Sequence, residues 1–458
     1  MSAVVESPAP GALPLLAAAD PARPVAWRQG RAVSARCFLA DVARVAGALP
    51  CATSAVNLCR NRYAFLVAFA AVLARGQANL LPPSRAAHAV DEALAANPGS
   101  YALSDGGEEA PGPRHFTLPP LDGEVATGGL AAAVPGIAAG QVAAIGFTSG
   151  STGQPRGNPK TWRAFSASTA LNAGALAATL ELAGGQHAHV VATVPPQHMY
   201  GIELSVLLPL LGPFAVSDRK PLFPADIAAA LAELPAPRVL VTTPVHLKAL
   251  MAAGIALPPL GAIVSATAPL AADLAAAAEA RHGARVLELF GSTETCVIAQ
   301  RRAALGGDWT LYPGVTLRPQ PDGTAVDTAW FEREVVLPDV VELGPGGTFA
   351  LRGRQADLVE IAGKRASLAD LTRRVQALAG VEDAVVFQSG TADAFGVRRI
   401  AALVVAPGRS EAQLIGELRQ AIDAAFLPRP LRKVAALPRN ETGKLPRAAL
   451  LAELERSA

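Results

Sequence analysis

From about residue 140, short apolar runs rich in β-branched residues alternate with stretches of helical periodicity. "HAHVVATVPP" comes first; "PRVLVTTP" is followed by helical "VHLKALMAAG", "LGAIVSATAPL" by "AADLAAAAEARHG", and "ARVLELFGSTE" closes the series. Such alternation predicts parallel sheets covered by helices. In that architecture ligands gather beyond the carboxyl ends of the strands, which is where "TSGSTG", "TTPVH", "SATAP" and "FGSTE" all fall. The stretch "FTSGSTGQPRGNP", Phe147 to Pro159, follows apolar "VAAIG" and precedes "KTWRAFSASTALNAGALAATL", so a strand, a loop and then a helix are expected.

After "LGPGGTFALRGRQAD" the pattern restarts with "LVEIAGKRASLADLTRRVQAL", "EDAVVFQSG", "RRIAALVVAPG" and the helical "EAQLIGELRQAIDAAF". This reads as a small α+β domain, and a boundary near Arg354 divides the chain into 1–353 and 354–458. The expected fold is therefore α/β: a large N-terminal domain of helix-covered β-sheets and a smaller C-terminal α+β domain. The tract "SDGGEEAPGPRHFTLPPLDGE" reads as a long surface connection. No fixed-period repeat points to a solenoid.

Composition narrows the partners. The 458 residues exceed a typical single domain, and the apolar fraction of 51% owes much to alanine, which favours helices without burying much area. A net charge of +2 with 17% charged residues lacks the basic excess of a nucleic-acid binder. Cys37, Cys51, Cys59 and Cys296 show no CxxC spacing, which suggests neither a disulfide framework nor a zinc site and fits a reducing cytoplasm. "YAFLVAFAAVLA" is too short for a membrane span, and "MSAVVESPAPGALPLLAAAD" lacks the basic start of a leader, so a soluble protein is expected. Oligomeric state is left open.

The glycine-rich loop is the first candidate for chemistry. Gly150, Gly153 and Gly157 let backbone amides approach phosphates, Thr148, Ser149, Ser151 and Thr152 offer hydroxyl donors, and Arg156 adds positive charge. The loop lacks GxxxxGK[ST], so a nucleoside-triphosphatase P-loop is a poor match. A ligand-free Gly/Ser turn is the plain alternative.

"TSGSTGQPRG" resembles the signature loop of the adenylate-forming superfamily, which includes acyl- and aryl-CoA synthetases, luciferases and peptide-synthetase adenylation domains. Arg156 stands where that family usually carries lysine. Further motifs resembling the family follow in order: "PPQHMYG", "ELFGSTE", "LRGRQADLVEIAGKR" and "LPRNETGKLPR". The resemblance covers most of the chain from about residue 140. It implies a small domain that is mobile, and a first reaction in which a carboxylate attacks the α-phosphorus of ATP to give an acyl-adenylate and pyrophosphate. Charge neutralisation and alignment are that reaction's main needs.

The roles it implies are these. Glu294 matches the magnesium-associated glutamate, and Phe290, with Gly291, Ser292 and Thr293, the adenine-stacking motif. Ala266 and Thr267 would edge the adenine, Asp339 would hold the ribose hydroxyls, and Arg354 belongs to the hinge motif. Ala356 stands at the hinge where many relatives carry aspartate, and Gly363 would lie along the thiol path. Lys444 matches the lysine that reaches both the reacting carboxylate and the α-phosphate. His198 matches a histidine where the acyl pocket meets the thiol tunnel, and Tyr200, Gly201, Thr243 and His246 are candidates for lining the acid pocket. Taken singly, Glu294 also reads as a helix-terminal carboxylate, Phe290 as core, Asp339 as a solvated turn, His198 as structural and Lys444 as a surface lysine.

The implied cofactors are ATP, Mg2+ and a thiol from CoA or the phosphopantetheine of a carrier protein. No aspartate stands near His198 to pair with an amino-acid ammonium, which favours an aryl acid such as a hydroxybenzoate, with a fatty acid as the alternative. The compact length and "NLCRNRYAFLVAFAAVLARGQANLLPPS" resemble the acyl/aryl-acid ligases of aryl-polyene and xanthomonadin-type pigment pathways. Only a short tail follows Lys444, so a separate acceptor is expected. Arg398, Arg399, Arg429, Arg432 and Lys433 would face an acidic carrier protein, the phosphates of CoA, or solvent alone. A non-catalytic nucleotide-binding protein is the alternative of another class, suggested by Arg156, Ala356 and a shortened central segment. The presence of Glu294, Asp339, Arg354 and Lys444 argues against it.

Overall fold

Beyond its first residue the segment Arg62–Ala74 is apolar on every side, and such a helix must lie inside a core. In the computed structural model all its residues but the last are buried, and Asn61 caps its start by accepting from the amides of Tyr63 and Ala64. The structure describes residues 11–17, 20–82, 84–106, 114–121, 133–149, 155–320, 323–354, 358–361, 364–392, 398–440 and 443–457. Among the described residues no helix is long and apolar enough to cross a membrane.

The chain divides into two compact units. The first comprises Met1–Gly307, Tyr312–Gly314 and Ala329–Glu332. One of its sheets orders the strands Pro155–Thr161, Val142–Ser149, Ala78–Leu81, Ser54–Asn57, Tyr101–Ser104 and His115–Thr117. Only the first pair is antiparallel. The second sheet runs Cys296–Arg302, Arg285–Ser292, Ala262–Ser265, Arg238–Thr242, Ala188–Ala192, Phe214–Ser217, Pro24–Arg28 and Arg31–Ser34. Its inner strands are parallel, as the alternating pattern predicts. Helices Pro224–Ala232, Pro244–Ala253 and Ala272–His282 bury Ile227, Leu231, Leu247, Leu250 and Ala275 in one cluster with Leu240 and Ile263 of the sheet.

Two expectations are corrected here. The tract read as a plain surface connection contains the edge strand His115–Thr117, whose "HFT" has the side chains a pleated edge accommodates. The stretch read as strand, loop and helix is a hairpin: Val142–Ser149 turns back into the antiparallel strand Pro155–Thr161 before helix Trp162–Leu180 begins. Pro155 and Pro159 are tolerated because this strand lies at the sheet edge.

The second unit comprises Asp308–Leu311, Val315–Thr328 and Arg333–Ala458. Asp383–Ala392 and Arg398–Val405 pair antiparallel, and Leu431–Lys433 adds a parallel strand. Helices Leu368–Gln376 and Glu411–Ala421 bury Leu371, Val375, Leu414 and Leu418 with Val386, Ile400 and Val404. Phe387, Leu403, Leu437 and Leu450 of helix Arg447–Arg456 form a further cluster. This is the α+β arrangement expected of the smaller domain.

Candidate active site

The hairpin decides the setting of the glycine-rich loop. Thr148 registers opposite Arg156 and Ser149 opposite Pro155, so the strands on either side of the loop pair antiparallel. The following helix starts later and is capped by Thr161, whose hydroxyl accepts from the Ala164 amide. The loop is therefore not the N-terminal collar of that helix, and a P-loop, which needs the helix immediately after its glycines, is excluded on geometry as well. Gly150, Ser151, Thr152, Gly153, Ala356 and Gly363 lie outside the described residues, as do the side chains of Thr148, Ser149, Arg156, Arg354 and Arg398.

The hairpin meets two other sequence motifs at one point. A Cβ on Gly146 would stand 2.8 Å from the Thr293 methyl and 3.1 Å from the Met199 methyl, so "VAAIG", "GSTE" and "PPQHMYG" touch there with no side chain between them. Strand Arg285–Ser292 carries Phe290 and Gly291 into a tight reversal. The Ser292 hydroxyl accepts from the amides of Glu294 and Thr295, and the Thr295 hydroxyl accepts from the Ser292 amide. Gly291 has no room for a Cβ, which would fall 2.2 Å from the Cys296 carbonyl oxygen, and Cys296 takes a left-handed φ of 62°. The buried Lys160 ammonium donates to the carbonyl of Glu294.

The "SATAP" loop leaves strand Ala262–Ser265 beside this turn. Ala266 is buried and Thr267 has a φ of 80°, a left-handed conformation that β-branched residues avoid. On either side of this loop the Tyr200 hydroxyl donates to the Val264 carbonyl at 2.9 Å, and the Leu270 amide donates to Glu288 at 2.9 Å. The Tyr200 hydroxyl is thus committed within the protein, and burial raises its pKa well above the usual value. Gly201 is required by space, since a Cβ would fall 1.9 Å from the Pro195 carbonyl.

His198 caps the short helix Met199–Ile202, its carbonyl accepting from Ile202 at 2.7 Å. Thr243 caps helix Pro244–Ala253 by accepting from the His246 amide. His246 Nδ1 lies 2.9 Å from the Thr193 hydroxyl, itself 3.1 Å from that of Thr242, and burial lowers the imidazole pKa. Thr193, Thr242 and His246 are thus brought together at the carboxyl ends of strands Ala188–Ala192 and Arg238–Thr242. The buried Arg62 fixes the same end of the sheet, donating to the carbonyls of Ala192 and Val194 at 2.9 and 2.8 Å and to the Ser205 hydroxyl at 2.5 Å. Desolvation lowers its pKa to about 10.

Sequence reasoning missed Glu203. It opens the π-helical turn Glu203–Leu207 and is 1% exposed. One carboxylate oxygen accepts from the Ser168 hydroxyl at 2.7 Å, the Val297 amide at 3.1 Å and the Asn172 amide at 3.2 Å. The Tyr312 hydroxyl donates to Asn172 at 3.0 Å. Burial pushes the Glu203 pKa up to about 7, against those donors and the Lys160 charge, which lower it. A single acidic residue within "GIELSVLLPLL" gives no local signal, because its partners lie far away in sequence.

In the second unit Asp339 registers opposite Arg354 across the antiparallel strands Asp339–Leu343 and Thr348–Arg354. The Thr324 hydroxyl donates to the Asp339 carbonyl at 2.6 Å. Lys444 is exposed on a self-bonded turn: its amide donates to the Asn440 side chain, and the Asn440 amide donates to the Lys444 carbonyl, each at 2.9 Å. Of the basic residues, Arg432 pairs with Glu411 at 3.3 Å, Lys433 bonds to Glu411 and the Pro407 carbonyl, and Arg399 and Arg429 are exposed.

No group of three or more His, Cys, Asp or Glu side chains that could hold a metal occurs among the described residues. A single half-buried carboxylate, Glu294, suits a magnesium ion that takes its remaining ligands from substrate phosphates and water.

The AMP-binding enzyme family model matches residues 16–329. The 4-coumarate–CoA ligase of Rhodobacter capsulatus is 31% identical over 308 residues, covering 66% of this chain and 74% of that protein. A probable 2-succinylbenzoate–CoA ligase of Mycobacterium tuberculosis is 30% identical over 341 residues, covering 68% and 84%. The solved o-succinylbenzoate CoA synthetase of Bacillus subtilis, in complex with its acyl-adenylate intermediate, superposes with a TM-score of 0.77 at 18% identity. That match covers 94% of this chain and 96% of the other, and it shows the shared fold.

Proposed function

We propose, starting from the fact that the chain belongs to the AMP-binding enzyme family and is an AMP-forming acid–CoA ligase, that its acid is an aryl acid of the hydroxybenzoate kind. The observation that carries this reading is the meeting of three motifs at Gly146, which gathers the candidate phosphate, nucleotide and acid elements at one place in the first unit. The relatives named above act, by their names, on aromatic carboxylic acids, which supports the substrate class.

In this reading an acid oxygen bonds to the α-phosphorus as the bond to the β-phosphate breaks, and pyrophosphate leaves. The glycine-rich stretch from Thr148 to Gly157, with Arg156, holds the departing phosphates. Ala266, Thr267 and Phe290 through Thr293 receive the adenine, and Asp339 the ribose. Glu294 would hold a magnesium ion, which neutralises phosphate charge when bound. Lys444 balances the charge that develops between carboxylate and phosphate. The thiol sulfur then forms the thioester bond as AMP leaves, with His198 and Gly363 beside its path.

The two steps need different faces, so the segment from Arg354 onward is assigned as a mobile domain that withdraws Lys444 after adenylation, with its hinge at Ala356. His198, Tyr200, Gly201, Thr243 and His246 shape the acid pocket; Tyr200 offers its ring, since its hydroxyl is engaged. The acceptor is the thiol of CoA or of a carrier protein's phosphopantetheine. Four free thiols support a reducing, cytoplasmic setting. The segment "NLCRNRYAFLVAFAAVLARGQANLLPPS" supports the narrower assignment to aryl-acid loading in pigment formation.

A panel of benzoates, hydroxybenzoates, cinnamates and fatty acids, scored for AMP release with CoA or a carrier protein, tests the reading. Turnover of an aryl acid is expected. Turnover of fatty acids alone overturns the substrate class.

A further inference from the structure

We infer that Glu203 is a positioning residue for the turn that carries Glu294, acting together with Lys160 as a buried pair of opposite charges that fixes the turn's backbone. Lys160 donates to the carbonyl of Glu294 itself, and Glu203 accepts from the amide of Val297, just past Cys296. Between those two anchors the backbone is crowded at Gly291 and left-handed at Cys296, a conformation that a non-glycine residue holds only when its surroundings determine it. The turn's own hydroxyls, Ser292 and Thr295, satisfy its inner amides, and the two charged side chains add ties to the hairpin strand and to the turn after "PPQHMYG".

Both charges are sealed, Glu203 at 1% and Lys160 at 7% exposure. Apolar residues would fill such positions with less desolvation cost, so stability alone does not explain them. The pair instead joins three elements that the proposed chemistry must align. Lys160 sits on the return strand of the hairpin, Glu203 follows "PPQHMYG", and Val297 follows "GSTE". Ser168 and Asn172 of helix Trp162–Leu180 hold the carboxylate in place, and Tyr312 in turn holds Asn172. Charge on either partner is thereby converted into the position of Glu294 without either side chain touching substrate.

The inference rests on the proposed role of Glu294 at magnesium–ATP. The test is acid-dependent ATP–pyrophosphate exchange with the full chain, measuring KM separately for magnesium–ATP and for the acid. Glu203→Ala is expected to raise KM for magnesium–ATP about tenfold or more while the acid KM moves less than about twofold. Glu203→Gln, which keeps an oxygen for the Val297 amide, is expected to recover part of that loss. Because the two charges act as one unit, Lys160→Met combined with Glu203→Gln should cost little more than the worse single change.

If Glu203→Ala fails to fold, the Gln and Met variants and their combination carry the test. Equal rises in both KM values together with a lowered unfolding temperature, or a double variant equal to the product of the singles, overturn the inference. Glu294→Ala separates the two levels. If it leaves the magnesium–ATP KM unchanged, the proposed site fails; if it raises that KM while the Glu203 and Lys160 variants do not, the positioning role alone fails.

Discussion

Arg439 grips the carboxylate of Asp383 with its guanidinium fork, Nη2 at 3.0 and 2.8 Å from the two oxygens and Nε at 3.2 Å, while Nη1 donates to the Gly443 carbonyl at 2.8 Å. One arginine thus ties the strand that begins at Asp383 to the turn that presents Lys444. Lysine cannot make both contacts, because it offers a point charge in place of a planar fork. Arg439→Lys is expected to slow acid-dependent ATP–pyrophosphate exchange roughly tenfold, the scale of one lost charge-assisted hydrogen bond. Thioester formation from a supplied acyl-adenylate should change less. Unchanged exchange would detach the clamp from the chemistry.

Lys444 itself is predicted to act in the first half-reaction only. Removing one preorganised charge-stabilising donor commonly costs on the order of 10²–10³ in rate, so Lys444→Ala should lower adenylation by about that factor. Transfer from a supplied acyl-adenylate to the thiol should persist. Single-turnover measurements of each half-reaction check this, and equal loss in both sinks the assignment.

Gly146 is predicted to be intolerant of a methyl group for a reason that a second substitution can cancel. The new Cβ in Gly146→Ala would stand 2.8 Å from the Thr293 methyl. Overpacking of this kind typically costs about 1–3 kcal/mol, and here the strain falls on the Glu294 turn. Exchange activity should fall more than the unfolding temperature suggests. Adding Thr293→Ser, which removes the clashing methyl and keeps the hydroxyl, should restore much of it; the Met199 methyl at 3.1 Å ends a flexible side chain and can yield. A double variant no better than Gly146→Ala would show that the contact is not the cause.

The parallel strands of the larger sheet were legible because each is a short β-branched run ending in a polar loop. That pattern alone places "TTPVH", "SATAP" and "FGSTE" at one end of it. The hairpin was not legible, since "PRGNPKT" has two prolines and a glycine that suppress any strand signal, and only its place at an edge makes the pairing possible. Glu203 and Lys160 escaped for another reason. Their meaning lies in partners 94 and 134 residues away, Val297 and Glu294, and no local period encodes such pairings. The left-handed Thr267 and Cys296 are likewise imposed by tertiary contacts against their own preference.

The acid limb of stability is predicted to include His189. The Trp27 indole N–H donates to His189 Nδ1 at 2.9 Å, so the imidazole must be neutral with its proton on Nε2. Burial, reinforced by the nearby charges of His187 and Arg238, lowers its pKa from 6.5 to about 4. A histidine whose folded pKa lies below its unfolded value binds fewer protons when folded. Its contribution is therefore fully present above about 6.5 and is lost as pH falls through about 4. His189→Gln cannot titrate but can still accept from Trp27. Denaturant unfolding of both proteins at a series of pH values should give a stability difference that is constant above neutrality and shifts in favour of the variant between about pH 6.5 and 4. A difference that stays flat across that window would mean that folding does not change the proton affinity of the imidazole.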